Sequence, residues 1–583
     1  MGIDITPKEA LLLFPYKKFR KYQKEVIIRM AEAFQSGYNV ILVEAPTGFG
    51  KSAVNTVFCR AVKSFYATPQ LTLIDQIKND PHIGRFYTVI KGRQNYRCPY
   101  NGMPVNIGKC VTDPDFGCNK LEECPYWIAK ARAARAKSVL TSFAYLILEG
   151  AAEDVSPIKL GHRKLLVLDE SHSIDRHLIE HVSVVVSPNT VGQDIYRSVR
   201  YLIRDKMSHD DMEHLVDTVL DMMEAYTAQK IINLAGEELT IEDAKMLDRL
   251  QKFERSAEIY RQHPDAEWVY EVGWMTDSKF GKYKYVAARP VYAREFMEEF
   301  VWSRADNYII SSATILEPRI FLIEAGIDPS KHGVYIVRVP STFPPENRPI
   351  IDATAGKLTK DVREENIRVA VEKINKILDI EKGNVAIHAH SYELARAVFE
   401  MIDKRHQPRL IIHNSENRNV AVGIWKMSHG KVFIGVRFEE GQDWKGRMCD
   451  AQILLKVQYP DINDPRVRVR LDRKQWLWYK LEALKLVIQS YGRAVRSEND
   501  RQRFYVIDES FVHLITWAWN WVPKWFKDAL PPHWNKDKIK EKIKELKQIR
   551  RETGKYRGWT ESQLKQEAIR LLREEAARKG LVV

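Results

Sequence analysis

A series of short, β-rich apolar runs, each ending in a polar or glycine-rich turn, limits the folds open to this chain more than any other feature. Val40-Ile41-Leu42-Val43 leads into Ala45-Pro46-Thr47-Gly48-Phe49-Gly50-Lys51-Ser52, and Leu165-Leu166-Val167-Leu168 leads into Asp169-Glu170-Ser171-His172. Tyr308-Ile309-Ile310 precedes Ser311-Ser312-Ala313-Thr314, and further runs follow at Val385-Ala386-Ile387-His388, Val432-Phe433-Ile434-Gly435, Ile453-Leu454-Leu455 and Phe504-Tyr505-Val506-Ile507. Strands this continuously apolar are buried on both faces, which means parallel sheets covered by helices. Such sheets hold ligands beyond the carboxyl ends of their strands, where these polar turns fall. At 583 residues the chain exceeds one ordinary core and predicts about three or four domains. Two stretches break the pattern: residues 91–126 are rich in Gly, Pro and Asn, and residues 175–274 turn charged and helical, predicting a mostly helical insertion. After Pro531-Pro532 the tail is strongly charged, and Thr560-Glu561-Ser562-Gln563 predicts a capping box for a helix that Gly580 can end.

The turn after the first run has the residues a phosphate needs. Gly48, Gly50 and their neighbours let backbone N–H groups turn inward onto phosphate oxygens, and the following helix adds its dipole. Lys51 then reaches the outer phosphates of ATP, and the Ser52 hydroxyl ligates Mg²⁺. Asp169 and Glu170 offer one carboxylate for Mg²⁺ and one to activate water, the division that phosphoryl transfer requires. Late in the chain, Gln489-Ser490-Tyr491-Gly492-Arg493-Ala494-Val495-Arg496 puts Arg493 and Arg496 on one helix face, suited to steady γ-phosphate charge from a second domain.

Between these motifs stand Cys98, Cys110, Cys118 and Cys124, separated by eleven, seven and five residues. Clustered thiols in a reducing compartment point to a metal before a disulfide. Zinc and an iron–sulfur cluster both take thiolates, but structural zinc sites usually pair ligands as C-x₂₋₄-C, and no such pair exists here. That favours the cluster. Cys59 and Cys449 stand alone and read as buried structural thiols. The formal charge of +14 and pI near 9.2 favour a polyanionic partner. Arg93, Tyr96, Arg97, Tyr100, Tyr126 and Trp127 mix cations with rings near the cysteines. They serve base stacking or simple packing equally well. Trp517, Trp519, Trp521 and Trp525 read as core. No apolar run approaches the roughly 18–20 residues that span a bilayer, and Met1-Gly2-Ile3-Asp4 lacks a signal pattern, so the expectation is an intracellular protein without membrane contact.

Together these residues resemble the superfamily 2 helicases, and the cysteines point to the XPD/DinG family of iron–sulfur DNA helicases. The resemblance runs over about residues 14–530. Arg20-Lys21-Tyr22-Gln23 is similar to the motif that reads adenine, with Gln23 in the reading position. Ala67-Thr68-Pro69-Gln70 lies where the family touches DNA. Residues 91–98, from Lys91 to Cys98, are similar to the entry into its cluster domain. Ser312-Ala313-Thr314 resembles motif III, Phe343-Pro344-Pro345-Glu346-Asn347-Arg348 the entry to the second motor domain, Glu440-Gly441-Gln442-Asp443 motif V, and Gln489 to Arg496 motif VI. Ser171 departs from the commoner alanine, and the cysteine spacing is more compact than in many relatives.

The resemblance implies an α/β fold of two RecA-like parallel-sheet motor domains with a small iron–sulfur insert and a mostly helical arch insert. The expected boundaries are 1–90 with 128–175 and 275–318 for the first motor, 91–127 for the cluster, 176–274 for the arch, 319–532 for the second motor and 533–583 for a charged helical tail. It implies ATP, Mg²⁺ and a [4Fe–4S] cluster as cofactors, and 5′→3′ movement on single-stranded DNA. Fork or tailed duplex DNA and repair proteins are the expected partners of a monomer, cytoplasmic in a prokaryote and nuclear in a eukaryote. Gln489 would contact water or γ-phosphate, and Asp443 a ribose or the coupling path. Thr68, Arg93, Tyr96 and Arg97 would touch DNA. Two alternatives stand beside this: an ATPase that remodels nucleoprotein without unwinding, and a redox-sensing DNA-binding protein.

Overall fold

The computed structural model describes residues 2–113, 116–119, 122–151, 156–234, 239–277, 279–359, 363–414, 417–436, 444, 448–493 and 500–583. Its strands are β1 (Val40–Glu44), β2 (Ser64–Thr68), β3 (Thr88–Val89), β4 (Ser138–Ser142), β5 (Arg163–Asp169), β6 (Val184–Val186), β7 (Trp268–Asp277) and β8 (Gly281–Pro290). They continue with β9 (Ala305–Ser312), β10 (Val334–Arg338), β11 (Ile350–Asp352), β12 (Val385–Ala389), β13 (Leu410–Ile412), β14 (Val432–Val436), β15 (Ala451–Leu454) and β16 (Arg503–Val506).

The first sheet runs β10-β1-β9-β5-β2-β4-β3, parallel throughout. Side chains alternate across a strand, so Val40 and Leu42 enter one core while Ile41 and Val43 enter the other. Helices Gln23–Gln35 and Lys51–Ala61 cover the second face through Ile27, Met30, Val57 and Phe58. Helices Phe143–Ala151 and Ile174–Val182 cover the first through Phe143, Ile147, Leu178 and Ile179. Burial on both sides accounts for the unbroken apolar runs. The second sheet, β11-β16-β15-β12-β14-β13, is also parallel and begins after β10, which pairs with β1 and so carries the first motor past its expected end at 318. The chain is thus α/β, with two RecA-like motor sheets.

The insertion between β5 and β9 is not helical throughout. Helices His209–Leu234 and Ile241–Gln262 pack on a three-stranded antiparallel sheet, β6-β8-β7, through Leu215, Val219, Leu250, Phe253 and Val286. The hairpin β7–β8 crosses the boundary that the sequence reading set at 274 and continues to Pro290. Its signal was hidden because the hairpin is buried at its base and exposed toward its tip: the neighbours Trp274 and Met275, on opposite faces, are both exposed, while Tyr270 and Val286 nearer the base are buried. The cysteine window folds as short helical turns, and Cys124 opens the helix Pro125–Arg135 with Pro125 at its first position.

The tail forms two helices, Lys536–Thr553 and Glu561–Arg578. Thr560 closes the expected capping box with Gln563, and Gly580 takes the left-handed conformation just past the helix end (φ 69°). The last residues return to the second motor: Asp352 N–H donates to the Leu581 carbonyl and Val583 N–H to that of Asp352, at 3.0 and 2.8 Å. Trp519 and Trp525 are buried in the second motor's core, with Trp521 at its edge and Trp517 39% exposed. Cys59 and Cys449 are fully buried. Among the described residues no helix is long and apolar enough to cross a membrane.

Candidate active site between the two motor sheets

In the first sheet β9 lies between β1 and β5, so the phosphate-type loop after β1 and the acidic box at the end of β5 flank one strand end. The loop needs both glycines. Gly48 and Gly50 have φ of 81° and 88°, and a Cβ on Gly50 would lie 2.6 Å from Gln23 Nε2. Gly50 then caps the helix Lys51–Ala61, aiming its free N–H groups into the cleft.

Lys51 Nζ lies 3.1 Å from Glu170 Oε1, and Ser52 Oγ donates to Asp169 Oδ2 at 3.4 Å. Asp169 also accepts from Tyr66 OH at 2.7 Å and from Ser311 Oγ at 3.1 Å, while Asn55 Nδ2 donates to Ser311 Oγ at 3.0 Å. Glu170 sits in the left-handed region (φ 53°), a strained backbone that turns its carboxylate toward Lys51 and His172. His172 Nδ1 is 3.1 Å from Ser312 Oγ, tying the acidic box to the turn after β9. The two carboxyls are driven apart. Burial pushes Asp169 up, and the neighbouring Glu170 charge adds to this. Burial would also raise Glu170, but Lys51, His172 and Arg493 outweigh it and hold that carboxyl below its usual range.

The second motor closes the other side. Thr47 Oγ1 donates to the Gly492 carbonyl at 2.8 Å, and Gln489 Nε2 donates to Thr314 Oγ1 at 3.1 Å. Gln489 is buried, and its Oε1 has no hydrogen-bond partner among the described residues. Arg493 lies near enough for its charge to act on Glu170. Arg496 and Asp443 lie outside the described residues. The structure therefore gathers Gly48, Gly50, Lys51, Ser52, Asp169, Glu170, Gln489 and Arg493 around one cleft.

Beside the loop is a cavity of about 300 Å³ lined by Tyr16, Arg20, Gln23, Gly50, Ile77 and Asp169, among others. Gln23 braces the loop: its Nε2 donates to the Phe49 carbonyl at 2.8 Å and its Oε1 accepts from Arg20 N–H at 2.8 Å. Sequence reasoning missed Tyr66, Asn55 and Ser311. Tyr66 reads as one more apolar residue of β2, and only the placement of β2 beside β5 brings its hydroxyl to Asp169.

The expected nucleic-acid residues diverge. Thr68 is fully buried and gives its hydroxyl to the Gln70 carbonyl at 3.1 Å, bracing the turn after β2. Arg93 lies over the rings of Tyr126 and Trp127, which are both buried, and Tyr96 packs edge-on against Tyr126. Arg97 is exposed.

Of the cysteines, Cys98 and Cys124 are buried and Cys110 and Cys118 are half-buried. Burial pushes the Cys118 thiol up, and the charges of Cys110, Cys124 and Cys98 act on it too, so the four converge. Among the described residues the one trio of Cys, His or acidic ligand atoms mutually within 4.8 Å is the exposed His209, Asp210 and Glu213. Four thiols drawn from one window are a donor set that fits a thiolate-held metal centre.

Fold and cleft define a class: an ATPase motor whose two RecA-like halves meet across a nucleotide cleft. Comparison with known proteins narrows it. Residues 374–529 match the family described as helicase C-terminal domain, and residues 104–191 match the family DEAD_2. A probable ATP-dependent helicase of Methanocaldococcus jannaschii is 20% identical over 85% of this chain and 92% of its own. The ATP-dependent DNA helicase XPD of Sulfolobus acidocaldarius is 20% identical over 85% of this chain and 97% of its own. In fold, a solved XPD helicase superposes with a TM-score of 0.58 at 16% identity, covering 87% of this chain and 98% of that one. The Xpd4 structure from S. tokodaii gives 0.52 at 14%, covering 85% and 97%. The chain thus carries matches to two helicase families and is similar over most of its length to archaeal ATP-dependent helicases of the XPD type.

Proposed function

We propose that this helicase hydrolyses ATP to move 5′→3′ along single-stranded DNA and part the duplex at forks and tailed ends, as a monomeric, intracellular enzyme of DNA repair. The observation that carries the motor reading is the cleft itself: Lys51 and Glu170 on one sheet face Gln489 and Arg493 from the other. The XPD relative of S. acidocaldarius is a DNA helicase, which supports DNA as the track.

In this reading ATP enters against the loop, with its base in the cavity beside Gln23 and its phosphates on the N–H groups at Gly48 and Gly50. Lys51 transfers its charge from Glu170 to the outer phosphates. That frees the Glu170 carboxylate to take a proton from the attacking water, while the unpartnered Gln489 Oε1 accepts that water's other hydrogen. Arg493, with Arg496 beside it in sequence, steadies charge on the leaving phosphoryl group. Ser52 and Asp169 would hold Mg²⁺, which screens the phosphates when bound. Release of phosphate lets the Thr47–Gly492 and Gln489–Thr314 contacts part, and repeated closure advances the strand. Asp443 would couple the second motor to the nucleotide, and Arg97 and Arg93 would meet the strand. The four cysteines would hold a [4Fe–4S] cluster that stiffens a window with little core of its own.

Lys51→Ala is expected to abolish DNA-stimulated ATPase while leaving the fold intact. Hydrolysis at near wild-type rate in that variant would remove the motor assignment. Strand displacement on a 5′-tailed but not a 3′-tailed duplex tests polarity, and ATPase with no displacement on either would favour nucleoprotein remodelling. Protein purified without oxygen should be brown, absorb near about 400 nm and carry iron in place of zinc.

A further inference from the structure

The insertion carries a groove of about 700 Å³ that shares no lining residue with the cavity beside the phosphate loop. One wall is the helix Gln193–Val199 with the turn that follows it, and the other is the outer half of the hairpin β7–β8. The base of that hairpin packs toward the second motor, with Val269 beside Val291, Tyr292 and Val469. The cysteine window meets the insertion elsewhere, along helix Ile241–Gln262. The groove is therefore separate from both.

Its walls are charged in one sense. Arg197, Arg200 and Arg204 face Lys282 and Lys284, and Asp205 is the one carboxylate among the lining residues. Asp205 is already engaged: Lys284 Nζ lies 2.8 Å away. Trp274 and Lys284 are cross-strand partners, so this carboxylate holds the lysine that flanks the indole. Trp274 is nonetheless 55% exposed, with Lys282 and Lys284 Nζ at 4.8 and 5.2 Å from its ring centre. Tyr201, on the opposite wall, is 73% exposed. Leaving two large rings in water forgoes burial free energy, and gathering five cations around them adds repulsion. Both costs vanish when a polyanion with flat apolar faces fills the groove. A duplex hides its base faces, and an acidic peptide offers no surface for an indole to stack on. Single-stranded nucleic acid meets both needs.

We propose that this groove is a second nucleic-acid site, which takes a short stretch of single strand with its phosphates on Arg200, Arg204 and Lys282 and a base on Trp274. The inference rests on the motor reading above for the class of partner, and adds where on the arch that partner is held.

The test uses the full-length chain and a fluorescein-labelled oligothymidylate of about 30 nucleotides, titrated by anisotropy at several salt concentrations. Removing two phosphate contacts in R200A/K282A should lower the slope of log K against log salt by about 1.4, at roughly 0.7 per contact. Trp274→Ala should weaken binding about 5-fold or more, and Trp274→Phe, which keeps a ring, should restore most of it. Indole fluorescence should fall on binding in the wild type by more than in W274F. ATPase without nucleic acid should be unchanged in all three variants. Wild-type binding with the same Kd and slope in every variant would overturn the groove and leave the motor reading standing. Failure of the wild type to bind the oligonucleotide at all would overturn both. Equal competition by polyglutamate, with W274A indistinguishable from wild type, would make the groove a seat for an acidic protein and overturn the proposal.

Discussion

Gly50 shows how a single residue type can be dictated twice. Its φ of 88° excludes ordinary side chains, and Gln23 Nε2 occupies the space a Cβ would take. Gly50→Ala should therefore cost about 1–2 kcal/mol from backbone conformation alone, and more from displacing Gln23. A fall in melting temperature together with weakened ATP binding would check this; an unchanged Kd for ATP would show that the loop tolerates the shift. Tyr66 makes a different case. Its hydroxyl donates to Asp169 Oδ2 within a fully buried strand, so Tyr66→Phe keeps the packing and removes one hydrogen bond to a charged group. Such bonds contribute about 1.5–3 kcal/mol. The variant should fold, bind ATP and lose hydrolysis about tenfold or more. Wild-type kcat would mean that Ser311 and Ser52 suffice to position Asp169. The phosphate loop and acidic pair were legible from sequence because local spacing carries their chemistry. The Tyr66–Asp169–Ser311–Asn55 network was not, because it joins three strands and a helix far apart in the chain.

At the level of elements, the joint between first motor and insertion contains a pH-sensitive residue. His181, near the end of helix Ile174–Val182, packs edge-on against Phe300, and its Nε2 has no hydrogen-bond partner among the described residues. Burial, with Arg255 nearby, lowers its pKa from 6.5 to about 4. The unfolded chain thus binds the proton more readily than the folded one between those values. Stability at this joint is full above the unfolded pKa and lost as pH falls toward 4. Hydrogen exchange in residues 174–182 should rise between pH 6.5 and 5, at a rate corrected for intrinsic chemistry, and His181→Gln should flatten that rise. The hairpin β7–β8 belongs to this scale as well. Alternation in its sequence was masked because burial fades from its base to its tip, and the exposed rings at the tip border the groove. The tail's capping box, in contrast, was readable because a cap is a contact between residues three apart.

In the whole molecule the second motor grips both the first motor and the insertion. Arg470 is buried and donates to Glu324 at 2.7 Å, whereas Arg473 meets Glu267 through a largely exposed pair. Removing one partner of a buried ion pair leaves an unpaired charge and costs about 3–5 kcal/mol, while an exposed pair contributes roughly 0–1 kcal/mol. Glu324→Ala should therefore split thermal unfolding into separate motor transitions, and Glu267→Ala should leave a single one; two equal curves would place the coupling elsewhere. Taken alone, the sequence determined the parallel sheets, the phosphate loop, the acidic pair, the late glutamine and arginine, and the clustering of the thiols, because each is written in neighbouring residues with a fixed period or spacing. Only the tertiary structure decided that Thr68 is buried, that Tyr66 serves Asp169, and that Trp274 stands exposed beside five cations. Each of those depends on which strands become neighbours and on what burial leaves uncovered, and neither is encoded in any short stretch of chain.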